Sequence, residues 1–303
     1  MRKEPPARTH EGHARRLNSL RFARRRGGGL FIFTLCCVFV LSFNATSQAR
    51  TQSDLTPLQR EVRVQTARLS SADVEERRDA VTRLGALGRP EGSRAAAAAL
   101  ADPSAVVRAT AARAVLSLGP NEAATLILPL LRDRDEFARR EAAYALGLTR
   151  SLTAVGALAA AVETDKKPSV RGAAAVALGQ IGDASAAPAL AGTLARRLLA
   201  TGFFGRLLRK KVEEDEFVRR AAAVSLGQIA SRESVPALVE ALSDARAPSD
   251  IRRECARALG IIGDVRAVPA LRSALAAQDP YLSRIAFEAL KKIDPQSATR
   301  PGG

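Results

Sequence analysis

The sequence predicts an all-α fold: a right-handed α-solenoid, or α-α superhelix, of stacked antiparallel helix pairs. Composition supports this prediction, because alanine is frequent, aromatic residues make up only 4% of the chain and tryptophan is absent. Alanine has the highest helix propensity, and its small side chain lets neighbouring helices approach closely. The second observation is a motif that recurs at a nearly fixed interval, which is typical of repeat architectures.

The recurring motif is an arginine that is often preceded by an apolar residue and is followed by alanines and a Leu-Gly pair. We call its position the arginine slot, and it is occupied by Arg77, Arg108, Arg139, Arg171, Arg219, Arg252 and, in the last copy, Ser283. The intervals between slots are 31, 31, 32, 48, 33 and 31 residues, so a single interval departs from the period.

Each slot is predicted to lie at the start of a first helix. Alanine or cysteine stands three residues after the slot and leucine or valine seven residues after it, which places both on one helical face. Glycine then follows at once or about three residues later, and we expect it to end the helix through a left-handed cap. These glycines are Gly85, Gly147, Gly179, Gly227 and Gly260, and further on Gly88, Gly119, Gly182 and Gly263.

A second helix is predicted in each unit, because proline stands seventeen residues after the slot at Pro188, Pro236 and Pro269, where it suits a first helical turn. The expected second helices span 124–132, 155–163, 187–197, 235–243 and 268–276. Six such pairs and a closing helix give a solenoid over 74–293. Residues 50–73 are expected to form an N-terminal capping segment and 294–303 a disordered tail.

The first 49 residues resemble a targeting segment. A basic stretch is followed by the apolar run 30–43 and then by small and polar residues up to Ala49, which is the order of a secretory signal peptide. A membrane anchor is the alternative, although the apolar run is shorter than the ~20 residues of a typical span. We therefore expect export to the periplasm or the exterior, with inner-membrane anchoring as the second interpretation.

Two features of the repeat have structural and functional interpretations. The arginine slots predict either a ladder between units, with Asp183 and Asp264 as the expected partners, or a basic stripe for an acidic ligand. Cys255 occupies an alanine position, and we expect it to be buried as a small hydrophobic residue. Both histidines, His10 and His13, lie in the predicted signal peptide, so no activating base remains for a thiol or hydroxyl nucleophile.

The irregular interval contains a basic insertion near 195–215 that combines phenylalanine and leucine with arginine and lysine. Such a segment suits an anionic membrane surface or an acidic partner. The alternative is a lengthened second helix whose phenylalanines pack on the solenoid. The candidate partner-binding residues are Arg197, Phe203, Phe204, Arg206, Arg209, Lys210 and Lys211.

The segments VRGAAAVALGQIGDASAAPAL (170–190) and IRRECARALGIIGDVRAVPAL (251–271) resemble the short HEAT-like repeats named after phycobilisome lyases. The resemblance implies stacked helix pairs, a fold that carries many functions. Deoxyhypusine hydroxylase is similar in architecture, but its His-Glu iron ligands have no counterpart after residue 49. No residue carries over the activity of the phycobilin lyases or of the HEAT-like DNA glycosylases.

We therefore expect a non-enzymatic scaffold or adaptor, with no catalytic, cofactor-binding or metal-binding residues, that binds a protein or peptide on a concave face lined by second helices. The alternatives are a phycobilin-lyase-like enzyme, acting as a lyase or isomerase, and a membrane-surface adaptor that acts through the basic insertion. The net charge of +16 favours acidic partners, but export makes nucleic acid an improbable one. We expect a monomer.

Overall fold

The computed structural model describes residues 55–199 and 211–297, and within them the chain forms fourteen α-helices and one short hairpin. A first helix, α1 (Pro57–Arg68), precedes six antiparallel pairs, and α14 (Pro280–Ile293) closes the array. The pairs are α2 (Val74–Ala86) with α3 (Pro90–Ala96), α4 (Ala105–Ala114) with α5 (Pro120–Ile127), α6 (Glu136–Thr149) with α7 (Val155–Thr164), α8 (Pro168–Ile181) with α9 (Ala187–Leu194), α10 (Glu216–Ile229) with α11 (Val235–Ser243), and α12 (Ser249–Ile262) with α13 (Val268–Leu275). Each first helix packs on the next first helix, so the predicted all-α solenoid is confirmed.

The two ends of the chain are described only in part. The predicted signal peptide lies outside the described residues, and none of the helices within them is long and apolar enough to cross a bilayer. In the predicted tail, the Asp294 N–H donates to the Leu290 carbonyl of α14 at 2.8 Å, and Pro295–Ser297 then form a 3-10 turn. Residues 298–303 lie outside the described part.

Short polar side chains fix where the helices begin. The first helices α2, α6, α10 and α14 start after an aspartate whose carboxylate accepts a hydrogen bond from the N–H two residues on. The second helices α7, α9, α11 and α13 follow a 3-10 turn that is capped in the same way by serine or aspartate. Such caps satisfy backbone N–H groups that lack a partner within the helix. Proline stands in the first turn of α9, α11 and α13, as predicted.

The predicted helical face is the core of the solenoid. The residues three and seven positions after each slot are fully buried in all seven copies, from Ala80 and Leu84 to Ala286 and Leu290. They join the second-helix leucines in one apolar cluster that extends from Ala112 to Leu290, with a smaller cluster at the N-terminal end. Because each layer is shared by neighbouring units, no pair buries its apolar surface alone.

The glycines that directly follow the core leucines have a different role from the predicted one. They lie inside the first helices and do not end them. The next first helix passes directly over them. A Cβ atom at Gly85 would lie 2.9 Å from the Ala114 Cα atom, and one at Gly260 would lie 2.7 Å from the Ala289 Cβ atom. These glycines therefore set the close spacing of the first-helix layer.

The left-handed caps occur at the second set of positions. Gly182 (φ 79°) and Gly263 (φ 73°) end α8 and α12 as predicted, whereas Gly119 has an ordinary φ of −57°. Arg150 (φ 53°) and Ala230 (φ 55°) take the same conformation at the ends of α6 and α10. A residue with a Cβ atom is strained in this conformation. Because neither residue is a glycine, the sequence gives no sign of these two caps.

The arginine slots form a ladder between units. The Arg108 Nε and Nη2 atoms each donate to a carboxylate oxygen of Asp133 at 2.7 Å, while Nη1 donates to the Asp102 and Pro103 carbonyls. The same arrangement joins Arg77 to Asp102, Arg139 to Asp165 and Arg171 to Glu214. The structural interpretation of the slots is therefore confirmed for these four arginines.

The predicted acidic partners were wrong. Asp183 and Asp264 cap the 3-10 turns inside their own units, and hydrogen bonds from the Arg266 side chain and N–H lower the pKa of Asp264 to about 2. The ladder acids instead precede the next first helix, where their carboxylates also accept a backbone N–H. In the sixth unit Arg253 replaces the expected Arg252 and binds Asp279 at 2.7 Å.

Two of the ladder carboxylates, Asp102 and Asp133, have a pKa below the ordinary value. Burial alone would raise the pKa of Asp133, but the hydrogen bonds from Arg108 and the Asp135 N–H outweigh it, and the pKa lies below the ordinary value. Asp102 is shifted in the same direction by Arg77 and the Ser104 N–H, which again outweigh burial. A lowered pKa stabilises the fold above the pKa of the unfolded chain, and this contribution is lost as the pH falls towards the folded value.

In its described residues the basic insertion contains two paired strands, here called the hairpin, and α9 does not continue into it as the lengthened helix of one interpretation. The helix α9 ends at Leu194, three residues before the predicted end, and β1 (Arg197–Leu199) pairs with β2 (Lys211–Glu213) in an antiparallel ladder. The helix ends because Arg196 is held from two sides: its carbonyl accepts the Glu214 N–H at 3.0 Å, and its guanidinium donates to the Val162 carbonyl at 2.7 Å. Residues 200–210 lie outside the described part.

We predict that Arg108→Met lowers the free energy of unfolding by about 3 kcal/mol, because it leaves Asp133 buried without its charged partner. The Arg108 and Asp133 side chains are only 9% and 8% exposed. The matched control is Arg94→Met, which removes an ion pair whose side chains are 62% and 47% exposed and is expected to change stability by less than about 0.5 kcal/mol. Urea denaturation measures both, and equal effects of the two substitutions would contradict the structural role of the ladder.

We also predict that Ala230→Gly stabilises the protein by up to about 1 kcal/mol, because glycine removes the left-handed strain at the end of α10. The reverse change, Gly182→Ala, introduces the same strain and is expected to destabilise by a similar amount. Thermal unfolding followed by circular dichroism compares the two variants with wild type. A lower melting temperature for Ala230→Gly would refute this explanation.

Candidate partner-binding surface

The second helices α7, α9, α11 and α13 pack side by side in one layer, which α5 and the 3-10 turn after it extend towards the N-terminus. Their leucines point into the core, and the side chains that remain on the surface are mostly small. In the middle of the layer, α7 exposes Gly156, Ala157 and Ala160, and α9 exposes Gly192. Small side chains leave the space between neighbouring helices unfilled, so grooves remain between them.

One groove in this layer, here named the Arg132 groove, lies between units 2 and 3 and encloses about 590 Å³. Its floor and walls come from α5, the turn after it and α7, and are apolar apart from two threonines. At its end lie one arginine and one aspartate. The lining residues are Thr125, Leu128, Pro129, Leu131, Arg132, Ala157, Ala160, Ala161, Thr164 and Asp165.

Of the two charged side chains at the end of the Arg132 groove, only Asp165 has a bonding partner in the described residues. The Asp165 carboxylate accepts hydrogen bonds from Arg139 at 2.7 Å and from the Lys167 N–H at 2.9 Å, so the ladder occupies it. Arg132 is exposed, and no contact of its side chain with a hydrogen-bond or ion-pair partner is found within the described residues. The groove therefore presents a positive charge beside an apolar floor.

The second groove, here named the Arg246 groove, lies between units 4 and 5 and encloses about 420 Å³. Leu194, Ala237 and Ala241 give it an apolar floor. Arg246, 81% exposed, lies at its end and donates to the Asp244 carboxylate at 3.3 Å. The remaining lining residues are Ala195, Arg196, Arg219, Glu240 and Ser243.

The junction of units 3 and 4, between these two grooves, is closed at one end by Arg196. Its Nη1 atom donates to the Val162 carbonyl at the end of α7 and lies 3.4 Å from the Glu214 carboxylate. Glu214 is fully buried and also binds Arg171, so two arginines share one carboxylate at the base of the hairpin. This triad fixes the hairpin beside the Arg246 groove, because Arg196 lines the groove and β1 begins at the next residue.

The structure brings only part of the predicted site into view. Arg197 and Lys211 lie on the two hairpin strands. In the backbone register of these strands, Arg197 is opposite Glu213 and Lys211 is opposite Leu199. Phe203, Phe204, Arg206, Arg209 and Lys210 lie outside the described residues. Neither groove was predicted from the sequence, although the alanines and glycines of α7 and α9 are the signal from which both could have been predicted.

The Cys255 thiol and the ladder carboxylates have structural roles. Cys255 is fully buried, and burial raises the pKa of its thiol to about 12, so it packs as the predicted small hydrophobic residue. The ladder carboxylates are bound by arginine. No group of three or more His, Cys, Asp or Glu side chains that could hold a metal ion occurs among the described residues.

The repeats and the fold both match known proteins. The family model described as HEAT repeats matches residues 63–147, 126–197 and 206–291. YibA of Escherichia coli is similar in structure, with 18% identity, a TM-score of 0.54 and coverage of 90% of this chain and 99% of that chain. An engineered protein is similar with 22% identity and a TM-score of 0.50, covering 77% and 68% of the two chains.

The CpcE–CpcF complex of phycocyanin lyase from Nostoc is also similar, with 25% identity, a TM-score of 0.42 and coverage of 80% and 89%. No curated protein matches the sequence. The likenesses to YibA and to the engineered protein show the stacked-helix fold alone. The family model matches well over half of the chain in three overlapping or successive segments, and the chain therefore belongs to the HEAT-repeat family.

Proposed function

We propose that this protein is a non-enzymatic scaffold that binds a protein or peptide partner across its second-helix layer, the face that the sequence analysis expects to be concave. The observation that carries the proposal is the pair of apolar grooves between second helices, on a surface where small side chains leave room for a ligand. Pockets of this size, with an apolar lining and a few polar groups, are typical of binding sites.

The arrangement of charges supports this proposal. The ladder buries acidic groups between units and leaves Arg132 and Arg246 at the groove ends. A partner that covers the Arg132 groove therefore meets one exposed guanidinium and an apolar floor, while the buried pairs keep the backbone in place. Extended surfaces built by stacked pairs are suited to long, irregular partners, because each unit adds a small contact of its own.

Export is part of the same proposal and is supported by the order of residues 1–49. A protein whose N-terminus starts near residue 50 after secretion would support cleavage. N-terminal sequencing of the protein from the cell-envelope fraction distinguishes the interpretations: an intact Met1 on a membrane-bound protein supports the anchor, and an intact Met1 on a soluble cytoplasmic protein contradicts export.

The binding proposal predicts that peptides selected on the purified protein from a random display library depend on the Arg132 groove. Ala160→Trp places an indole in the groove from an exposed position and leaves the core unchanged, so it is expected to weaken the selected peptides at least tenfold. Leu148→Trp is the matched control, because Leu148 is 52% exposed on the first-helix layer. Fluorescence anisotropy gives the affinities.

Deletion of residues 197–213 distinguishes binding by the hairpin from binding by the Arg132 groove. Glu214 lies 43 residues after Arg171, and removal of these 17 residues restores the spacing of 26 seen between Arg139 and Asp165, so the solenoid is expected to fold. Peptides that bind this variant and lose affinity for Ala160→Trp support the groove. Peptides that lose affinity for the deletion or for Leu148→Trp, while Ala160→Trp has no effect, would contradict it.

A further inference from the structure

The two grooves lie in one layer and are two repeat units apart. The distance between them therefore sets how many residues of a bound peptide separate the side chains that enter them. We propose that the partner is an extended peptide with two bulky apolar side chains about five or six residues apart, one for each groove, and an acidic residue beside the anchor in the Arg132 groove. This inference rests on the proposed function and adds to it the chemistry and spacing of the ligand.

The spacing follows from the packing of the second helices. Neighbouring helices in contact lie roughly 8–10 Å apart, so grooves that are two units apart are separated by about 16–20 Å. An extended peptide advances about 3.3 Å per residue. Two anchors that enter the two grooves are therefore separated by about five or six positions in the peptide sequence.

The surface between the grooves permits an extended chain to cross it. The exposed residues of α7 and α9 include Gly156, Ala157, Ala160 and Gly192, which carry at most a methyl group, and the other exposed positions of these helices are Glu163, Thr164 and Pro188. Arg196 fills the end of the junction by bonding to the Val162 carbonyl. The proposal therefore places no anchor at this junction, and the peptide backbone crosses it beside the small residues.

The chemistry of each anchor follows from the lining. Leu128, Leu131 and Ala161 form an apolar floor in the Arg132 groove, and the aspartate at its end is already bound by Arg139. The charge left for a ligand is the Arg132 guanidinium, which pairs well with a carboxylate. In the Arg246 groove, Asp244 is bound by Arg246 and Glu240 is exposed, so that groove favours an apolar anchor without an adjoining acid.

Two linked anchors bind more tightly than one, because the second enters its groove from a high effective concentration. The test uses synthetic fluorescein-labelled peptides with a Gly/Ser background, two phenylalanines separated by three, five, six or nine positions, and a glutamate next to the first. We expect the five- and six-residue spacings to bind at least tenfold tighter than the other two and than a peptide with one phenylalanine.

Substitutions at each groove check the assignment. Ala160→Trp and Ser243→Trp should each reduce the two-anchor peptide to the affinity of the one-anchor peptide, with Leu148→Trp as the control. Arg132→Gln should weaken the peptide with glutamate about tenfold and leave a version with glutamine unchanged. Binding that is independent of spacing, or an Arg132→Gln effect that is equal for both peptides, would overturn this inference.

The outcomes also separate this inference from the proposed function. If peptides selected from the library depend on Ala160 but show one anchor and no preferred spacing, the scaffold proposal stands and the two-groove ligand is wrong. If neither selected nor designed peptides bind, both proposals fail.

Discussion

The buried pairing of Arg77, Arg108, Arg139 and Arg171 with the carboxylate that precedes the next first helix determines how the first five units are joined. The arginine uses all three nitrogen atoms: two bind the carboxylate, and the third binds carbonyl groups of the loop that leads into its own helix. Such a pair gains little over apolar residues of the same volume, but each half is costly to bury alone. The ladder therefore fixes the register of the units and the path of their loops.

The two helix layers differ in spacing, and the difference produces the candidate surface. In the first-helix layer, glycine faces alanine or serine of the next unit, with Gly147 and Gly179 as examples, and the backbones approach until no Cβ atom would fit. In the second-helix layer the inward leucines fill the core, and most of the outward positions carry small side chains, as at Ala157, Ala160 and Gly192. A tight layer thus holds the array together, while the open layer retains space between its helices.

The fold was predictable because its signals are periodic. Burial of alanine and leucine three and seven residues after each slot follows from helical geometry, and so do the proline starts of α9, α11 and α13. The partner of each arginine could not be predicted in the same way. Acids occur both in the turn inside a unit, as Asp183 does, and before the next first helix, as Asp133 does, and only the path of the loop decides which of the two kinds an arginine reaches. The caps at Arg150 and Ala230 carry no glycine, and the packing glycines were mistaken for caps because both roles use the same residue.

The hairpin shows how the ladder and the surface depend on each other. An insertion between the end of a second helix and the ladder acid leaves both helices of the next unit unchanged, provided that the carboxylate returns to its place. Glu214 does this: it binds Arg171 as the aspartates bind their arginines in other units, and it also binds Arg196 at the start of the insertion. The added arginine closes the base of the hairpin and bonds to the end of α7, which blocks the junction of units 3 and 4. The same contact that lets the repeat tolerate an insertion therefore lies between the Arg132 groove and the Arg246 groove.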